Sequence, residues 1–183
     1  MLSKYRLPNQ QAGEEIVKII RRDLFILVKK VATFLLLNIL PLAFFSLALI
    51  NFPNILNGQL SLPLIILGAS VYYLFMWLFF FFSFIDYYLD VWIVTNKRII
   101  DIEQRGLFSR VISEQKLYRV QDITSETNGF FPTIFAYGDV LIQTAGEKAR
   151  FHFQQVPNPD AIRDMIIKLA EKNKKEEKNQ GDI

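Results

Sequence analysis

The chain has 183 residues, of which 51% are hydrophobic and 14% aromatic, with no cysteine and a formal net charge of +3. Residues 31–85 form a stretch of 55 without one Asp, Glu, Lys, Arg or His, so every charge falls in two outer blocks. Residues 1–30 carry a net charge of +4 and residues 86–183 a net charge of −1. This pattern excludes a wholly soluble enzyme, an intrinsically disordered chain, a disulfide scaffold and a cysteine zinc site.

Residues 1–30 are expected to be a cytoplasmic juxtamembrane segment. Over residues 14–28 the apolar positions are spaced by four, four and three, which predicts a helix with one apolar stripe. The helix either extends the following span into the cytoplasm, which we favour, or lies in the membrane interface with its basic residues against anionic headgroups. The stripe consists of Ile16, Ile20, Leu24 and Leu27.

The uncharged block predicts a transmembrane helical hairpin. A hydrocarbon core of about 30 Å requires about 20 apolar residues, and residues 31–50 and 62–85 each supply them. Basic residues flank the block but are absent from the loop at 51–61, so both termini are expected in the cytoplasm. The alternative for the first segment is a signal peptide cleaved after Ser46-Leu47-Ala48, but the polar region before it is long and a second span follows.

Asn38 lies near the middle of the first predicted span. An amide in hydrocarbon needs a hydrogen-bond partner, so we expect Asn38 to bond to Ser70 of the second span or to another copy of the chain.

After residue 86 the pattern changes to short β-branched and aromatic runs between turn signals, which is typical of antiparallel strands. Strands are predicted at 88–95, 98–103, 107–114, 140–144 and 150–156. A further strand between the third and fourth of these ranges is predicted to end at about residue 127. A helix follows Asn158-Pro159, with apolar residues on one stripe. We therefore predict an α+β protein, with a small antiparallel β-barrel and a capping helix over residues 86–170 and a disordered charged tail over 171–183.

Five segments of this region form a distinctive series: VTNKRII at 94–100, RGLFSR at 105–110, RVQDI at 119–123, YGDV at 137–140 and VPNP at 156–159. Together with Gly13-Glu14 before the hairpin, they resemble the bacterial pleckstrin-homology-like (PH-like) membrane protein family. The resemblance covers roughly residues 13–167. It implies a PH-like barrel with a C-terminal helix, fixed to the cytoplasmic face of the bacterial cytoplasmic (inner) membrane, and it transfers no catalytic residue.

The residues for catalysis are sparse. His152 is the only histidine, and it alternates with Phe151 and Phe153 in a predicted strand, so we expect it to face outward. No nucleotide-binding fingerprint or paired carboxylates appear, so we predict no enzyme activity, no cofactor, no metal and no small-molecule substrate. Nucleic-acid binding is not expected either, because the region after residue 86 has a net charge of −1.

Two groups of residues are candidates for contact with anionic lipid headgroups or a protein partner. The first is a set of basic residues, for which solvated turn charges are the simpler interpretation. The second is the aromatic segment at 130–135, which either plugs the barrel mouth, as we favour, or is an exposed patch that binds a membrane or partner. The candidates are Lys97, Arg98, Arg105, Arg110, Phe130 and Phe131.

These features favour a non-enzymatic, membrane-anchored PH-like module that binds a protein partner or headgroups, with self-association also consistent. The alternative is a small accessory subunit of a membrane transport or secretion assembly. A hydrolase with a hidden site ranks third.

Overall fold

The computed structural model of the chain describes residues 10–11, 13–51, 60–106, 109–144 and 150–181. The chain divides into two compact units. We call Leu24–Tyr87 the helical unit, and Met1–Asp23 together with Tyr88–Ile183 the sheet unit. The segment before the helices therefore belongs to the same unit as the segment after them.

Two long helices account for the apolar block. Helix α1 covers Leu24–Asn51 and helix α2 covers Ser61–Leu89, and both are long and apolar enough to cross a membrane. In the most apolar window of each helix, no residue is buried within the protein. Both predicted spans lie within these helices, whereas most of the predicted loop, residues 52–59, lies outside the described residues.

Contacts between α1 and α2 compensate for a proline. Pro41 has no backbone N–H, so the carbonyl of Leu37, four residues earlier, loses its usual helical donor. The Tyr72 hydroxyl of α2 donates to that carbonyl at 2.7 Å. The predicted bond between Asn38 and Ser70 is absent among the described contacts: the Asn38 side-chain amide donates to Phe34 O and the Ser70 hydroxyl donates to Ile66 O, each within its own helix and each at 2.7 Å.

The first sheet has four antiparallel strands in the order β1-β2-β3-β4. These are β1 (Ile16–Ile20), β2 (Val91–Thr95), β3 (Arg98–Arg105) and β4 (Ser109–Lys116). The helix predicted over residues 14–28 is wrong for Ile16–Ile20. Four of these five residues are β-branched and favour a strand once a partner is available, and the partner, β2, lies far along the chain.

The second sheet has three antiparallel strands in the order β5-β6-β7. They are β5 (Val120–Glu126), β6 (Tyr137–Thr144) and β7 (Arg150–Pro157). A 3₁₀ turn at Leu117–Arg119 interrupts the chain between β4 and β5. Among the described residues no strand pairing joins the two sheets, so the predicted closed barrel is wrong.

Two further helices complete the sheet unit. The short helix α3 (Phe130–Phe135) joins β5 to β6, and α4 (Pro159–Gly181) follows β7 as predicted. The stripe of α4 packs against a core shared by both sheets. Fully buried side chains of this core are Val94, Ile99, Leu117, Val140, Ile142, Phe153, Val156 and Ile166.

Helix α4 continues to Gly181, where a disordered tail from residue 171 was predicted. Two polar side chains of this extension reach the sheets. The Asn173 side-chain amide donates to Asn96 O at 2.6 Å, and Lys174 Nζ donates to Val120 O at 2.7 Å. Such contacts stabilise a charged part of the helix that lacks an apolar stripe. Hydrophobic periodicity does not predict them, because both contacts are made by polar side chains.

The sheet unit has two ends that matter for function. At the connection end the chain leaves for α1 after Asp23 and returns from α2 at Asp90. The pairing of Ile20 with Trp92 sets the end of β1 beside the start of β2, and Asp23 N donates to Gln155 O at 2.7 Å. The connection end therefore also holds the end of β7.

The far end is the opposite end of the same strands. It holds the turn at Asn96 and Lys97 between β2 and β3, and Leu117 N donates to Lys97 O at 3.0 Å. Since β3 runs back from Arg98, its last residues return to the connection end, where Gln104 N donates to the Asp90 carboxylate at 3.0 Å.

Candidate functional site

Arg98 lies at the far end in a buried ion-pair network. Its Nε lies 2.8 Å from Glu14 Oε1 and its Nη2 lies 3.0 Å from Glu14 Oε2, a bidentate pairing. Glu114 of β4 contacts the remaining side of the guanidinium. The Thr95 hydroxyl is within 3.0 Å of Glu14 Oε1 and accepts from Arg98 N at 2.9 Å. The network joins the segment before the helices to the strands after them.

The electrostatics keep both members of the pair charged. Burial by itself would raise the pKa of Glu14, but the hydrogen bonds from Arg98, Gln11 N and Thr95, with the attraction of Arg98, together lower that pKa below its usual value. The hydrogen bond to Glu14 raises the pKa of Arg98 despite its burial. The Arg98 guanidinium is therefore buried and paired with two carboxylates of the fold, and its role as a headgroup or partner contact stays a prediction.

A small cavity of about 200 Å³ opens beside this network at the far end. Its lining carries both signs of charge, with Lys97 in the turn between β2 and β3, Lys116 at the end of β4, and Glu176 and Glu177 on α4. Lys116 Nζ lies 5.5 Å from the centre of the Tyr118 ring, within the range of a cation–π contact. This mixed surface fits a polar protein contact better than a cluster of phosphates.

The other two basic candidates lie at the connection end. Arg110 pairs with Gln104 across β3 and β4 and is exposed. Arg105 pairs with Ser109, and its side chain lies outside the described residues. The structure therefore separates the four basic candidates into two pairs at opposite ends instead of one cluster.

Helix α3 is exposed and does not plug the sheets. Its exposed fractions are 74% for Phe130, 52% for Phe131, 57% for Ile134 and 48% for Phe135, and none of its residues is buried. The predicted plug is therefore wrong. With no closed barrel there is no barrel mouth for the aromatic side chains to fill.

The chain folds into α3 because both of its ends are capped by backbone geometry. Gly129 precedes the helix with a φ of +112°, a value that glycine adopts without strain, and its carbonyl accepts from Thr133 N at 3.2 Å. Ala136 ends the helix in the left-handed region, and Asn158 N donates to its carbonyl at 2.8 Å. The start of α4 thus holds the end of α3.

Sequence reasoning missed the role of Gly138. Gly138 lies in β6, where a Cβ would collide with the carbonyl oxygen of Glu126 and lie 3.1 Å from Pro159 Cγ. The position requires glycine because β5, β6 and α4 converge here. No local sequence signal reports such a close approach, since the neighbours come from separate parts of the chain.

His152 is half-exposed and pairs with a carboxylate. Its Nε2 lies 2.9 Å from Asp139 Oδ2, and the other oxygen of Asp139 accepts from Gln155 N at 2.7 Å. The carboxylate thereby holds the irregular turn of β7 at Gln155, whose φ is +53°. Within the described residues no three His, Cys, Asp or Glu side chains are grouped so as to hold a metal ion.

The sequence matches known proteins at the level of the family. The family model "Bacterial PH domain" matches residues 25–170. Among solved structures, the chain is similar to a DUF1696 family protein with a pleckstrin-homology domain from Shewanella loihica, with 20% identity, a TM-score of 0.35, and coverage of 46% of this chain and 70% of that chain. No curated protein matches.

Proposed function

Because the chain belongs to the bacterial PH domain family, we propose that it is a non-enzymatic binding module, anchored by α1 and α2 in the bacterial cytoplasmic membrane. One observation carries the proposal: the two apolar helices are inserted between β1 and β2, which pair with each other. An insertion that leaves and returns at one end of a sheet is suited to a hairpin that crosses a bilayer twice.

The connections support this arrangement because they are short and tied together. Three residues separate β1 from α1, and Asp90 alone separates α2 from β2. Arg22 in the first connection donates to the Asp90 carboxylate in the second at 2.6 Å, and both side chains are largely buried. The two points where the chain enters and leaves the proposed membrane hairpin are thereby fixed beside each other within the sheet unit.

The basic residues that flank the apolar block favour the cytoplasmic face. Lys29 and Lys30 lie in the first turns of α1, and Lys97 and Arg98 follow α2, whereas the predicted loop has no basic residue. The far end lies at the opposite end of the strands from both connections to the helices. There Lys97 and Lys116, with the acidic residues of α4, form the proposed contact for a cytoplasmic protein partner or a second copy of the chain.

Cysteine labelling tests the anchoring directly because the chain has no cysteine of its own. We expect Asn57→Cys in the predicted loop to react with a membrane-impermeant maleimide in intact cells. We expect Glu177→Cys on α4 to react only after the membrane is permeabilised. Labelling of Glu177→Cys in intact cells, or recovery of the full chain in the soluble fraction without detergent, would contradict the proposal.

The accessory-subunit function is distinguished by the helices themselves. The windows of α1 and α2 have no buried residue, so their surfaces are open to lipid or to other membrane helices. We expect binding of the partner to be retained when both helices are replaced by an unrelated apolar hairpin of equal length. Loss of that binding while the sheet unit remains folded would favour the accessory subunit.

A further inference from the structure

Helix α3 carries a cluster of large apolar side chains that the sheet unit leaves uncovered. Four of its six residues are Phe130, Phe131, Ile134 and Phe135, each close to half exposed or more. The rings of the two adjacent phenylalanines pack edge to face with centroids 5.6 Å apart. A contiguous apolar cluster on a charged unit usually marks an interaction site rather than chance exposure.

The cluster lies at the connection end. Asn158 N donates to Ala136 O, and Pro132 shares a cavity of about 170 Å³ with Asp139 and Gln155. Gln155 in turn accepts from Asp23 N at 2.7 Å, and Asp23 is the last residue before α1. A short chain of contacts within the sheet unit therefore links α3 to the point where the chain enters the helical unit.

We propose that α3 inserts its apolar side chains into the cytoplasmic leaflet and holds the connection end against the bilayer. The inference rests on the proposed anchoring. After the predicted span, only residues 86–89 of α2, a rise of about 6 Å, and Asp90 precede β2. This end consequently lies at headgroup depth, where a short apolar helix reaches the acyl boundary.

Apolar burial, and not charge, drives this insertion. The connection end carries basic residues, among them Arg21, Arg105, Arg110 and Arg163, and acidic residues, among them Asp23, Glu126, Asp160 and Asp164. The acids offset the bases, so attraction to anionic headgroups is weak. A leaflet of zwitterionic lipid is therefore as good a partner for α3 as an anionic one.

Fluorescence in vesicles tests the insertion on the full chain. Phe131→Cys is labelled with an environment-sensitive nitrobenzoxadiazole (NBD) dye and reconstituted in phosphatidylcholine vesicles, with Lys175→Cys, an exposed position of α4 near the far end, as the control. We expect the Phe131→Cys label to shift to shorter wavelength and to be quenched by lipids that carry a nitroxide on the acyl chain. The control label stays unshifted and unquenched, and adding anionic lipid changes neither result.

Several outcomes would overturn the insertion. They are an unquenched label at Phe131→Cys, quenching that requires anionic lipid, and a spectral shift that depends on protein density instead of lipid. The last of these would assign α3 to a second copy of the chain. The Asn57→Cys labelling separates the two proposals, because a correctly anchored chain with an unquenched label refutes only the role of α3.

A second variant excludes a local effect of the label. Thr133→Cys places the dye on the same helix, and we expect its quenching to fall several-fold when Phe130→Ser and Phe131→Ser are added. Unchanged quenching in that variant would show that the phenylalanines do not hold α3 in lipid.

Discussion

The two ends of the sheet unit use charge and apolar surface in opposite ways. At the far end the Arg98 guanidinium is buried between Glu14 and Glu114, so its charge serves the fold. At the connection end Phe130 and its neighbours are exposed, so apolar area is left free. The comparison teaches that a charged residue near a turn is not necessarily a binding residue, and that an aromatic run near a core is not necessarily part of it.

The largest expected effect is the loss of the buried cation. Arg98→Met leaves Glu14 buried without its partner, and we expect the free energy of unfolding to fall by about 3–5 kcal/mol. The measurement is denaturant unfolding of the full chain in detergent micelles. Arg110→Met is the matched control, because Arg110 is an exposed arginine on β4 and should change little. Equal stability of the two variants would remove the contrast between the ends.

A smaller loss is expected where the connection end is tightly packed. Gly138→Ala sets a methyl group against the Glu126 carbonyl and Pro159, which should cost about 1–3 kcal/mol. Gly106→Asn is the control, because the space around Gly106 is open and asparagine tolerates its positive φ of +72°. Unfolding in micelles measures both. A neutral Gly138→Ala would show that the scaffold beneath α3 is looser than the structure indicates.

Acid should weaken the far end through Glu14. The folded state lowers the pKa of this carboxyl, so its contribution to stability is complete above the unfolded pKa of about 4.3 and is lost as the pH falls through the folded pKa. Unfolding measured from about pH 7 to about pH 3 should show this decline, and Glu14→Gln should flatten it. An unchanged acid slope in the variant would mean that Glu14 is not the group responsible.

The smallest effect on stability is expected at α3. The double variant Phe130→Ala, Phe131→Ala removes side chains that are exposed in the folded protein, so its stability should stay within about 0.5 kcal/mol of the original. Phe153→Ala is the comparison, because Phe153 is fully buried and its loss should cost about 3–5 kcal/mol. A large loss in the double variant would restore the plug interpretation of this segment.

Local patterns predicted most of the secondary structure. The strands from residue 88 onward and the start of α4 at Pro159 agree with the structure within a few residues, because turn residues and β-branched runs are local signals. Strand β1 was missed since its apolar spacing also fits a helix and its partner lies beyond the hairpin. The open arrangement of the two sheets was missed because hydrogen bonding between distant strands leaves no periodic signal.

The candidate site was predicted less well than the fold. The sequence analysis grouped Lys97 and Arg98 with Arg105 and Arg110 because they are close in sequence. Strand direction separates these pairs by the length of β3. The partner of Arg98, Glu14, is 84 residues away, and no spacing rule connects the two.

The position of β1 before the helices has a consequence for biosynthesis. Residues 21–90 separate Ile20 from Val91, and at a synthesis rate of about 5–20 residues per second β2 leaves the ribosome roughly 4–14 s after β1. During that interval the first strand has no partner, while the two apolar helices emerge one after the other. The sheet can therefore be completed only after both helices have been synthesised.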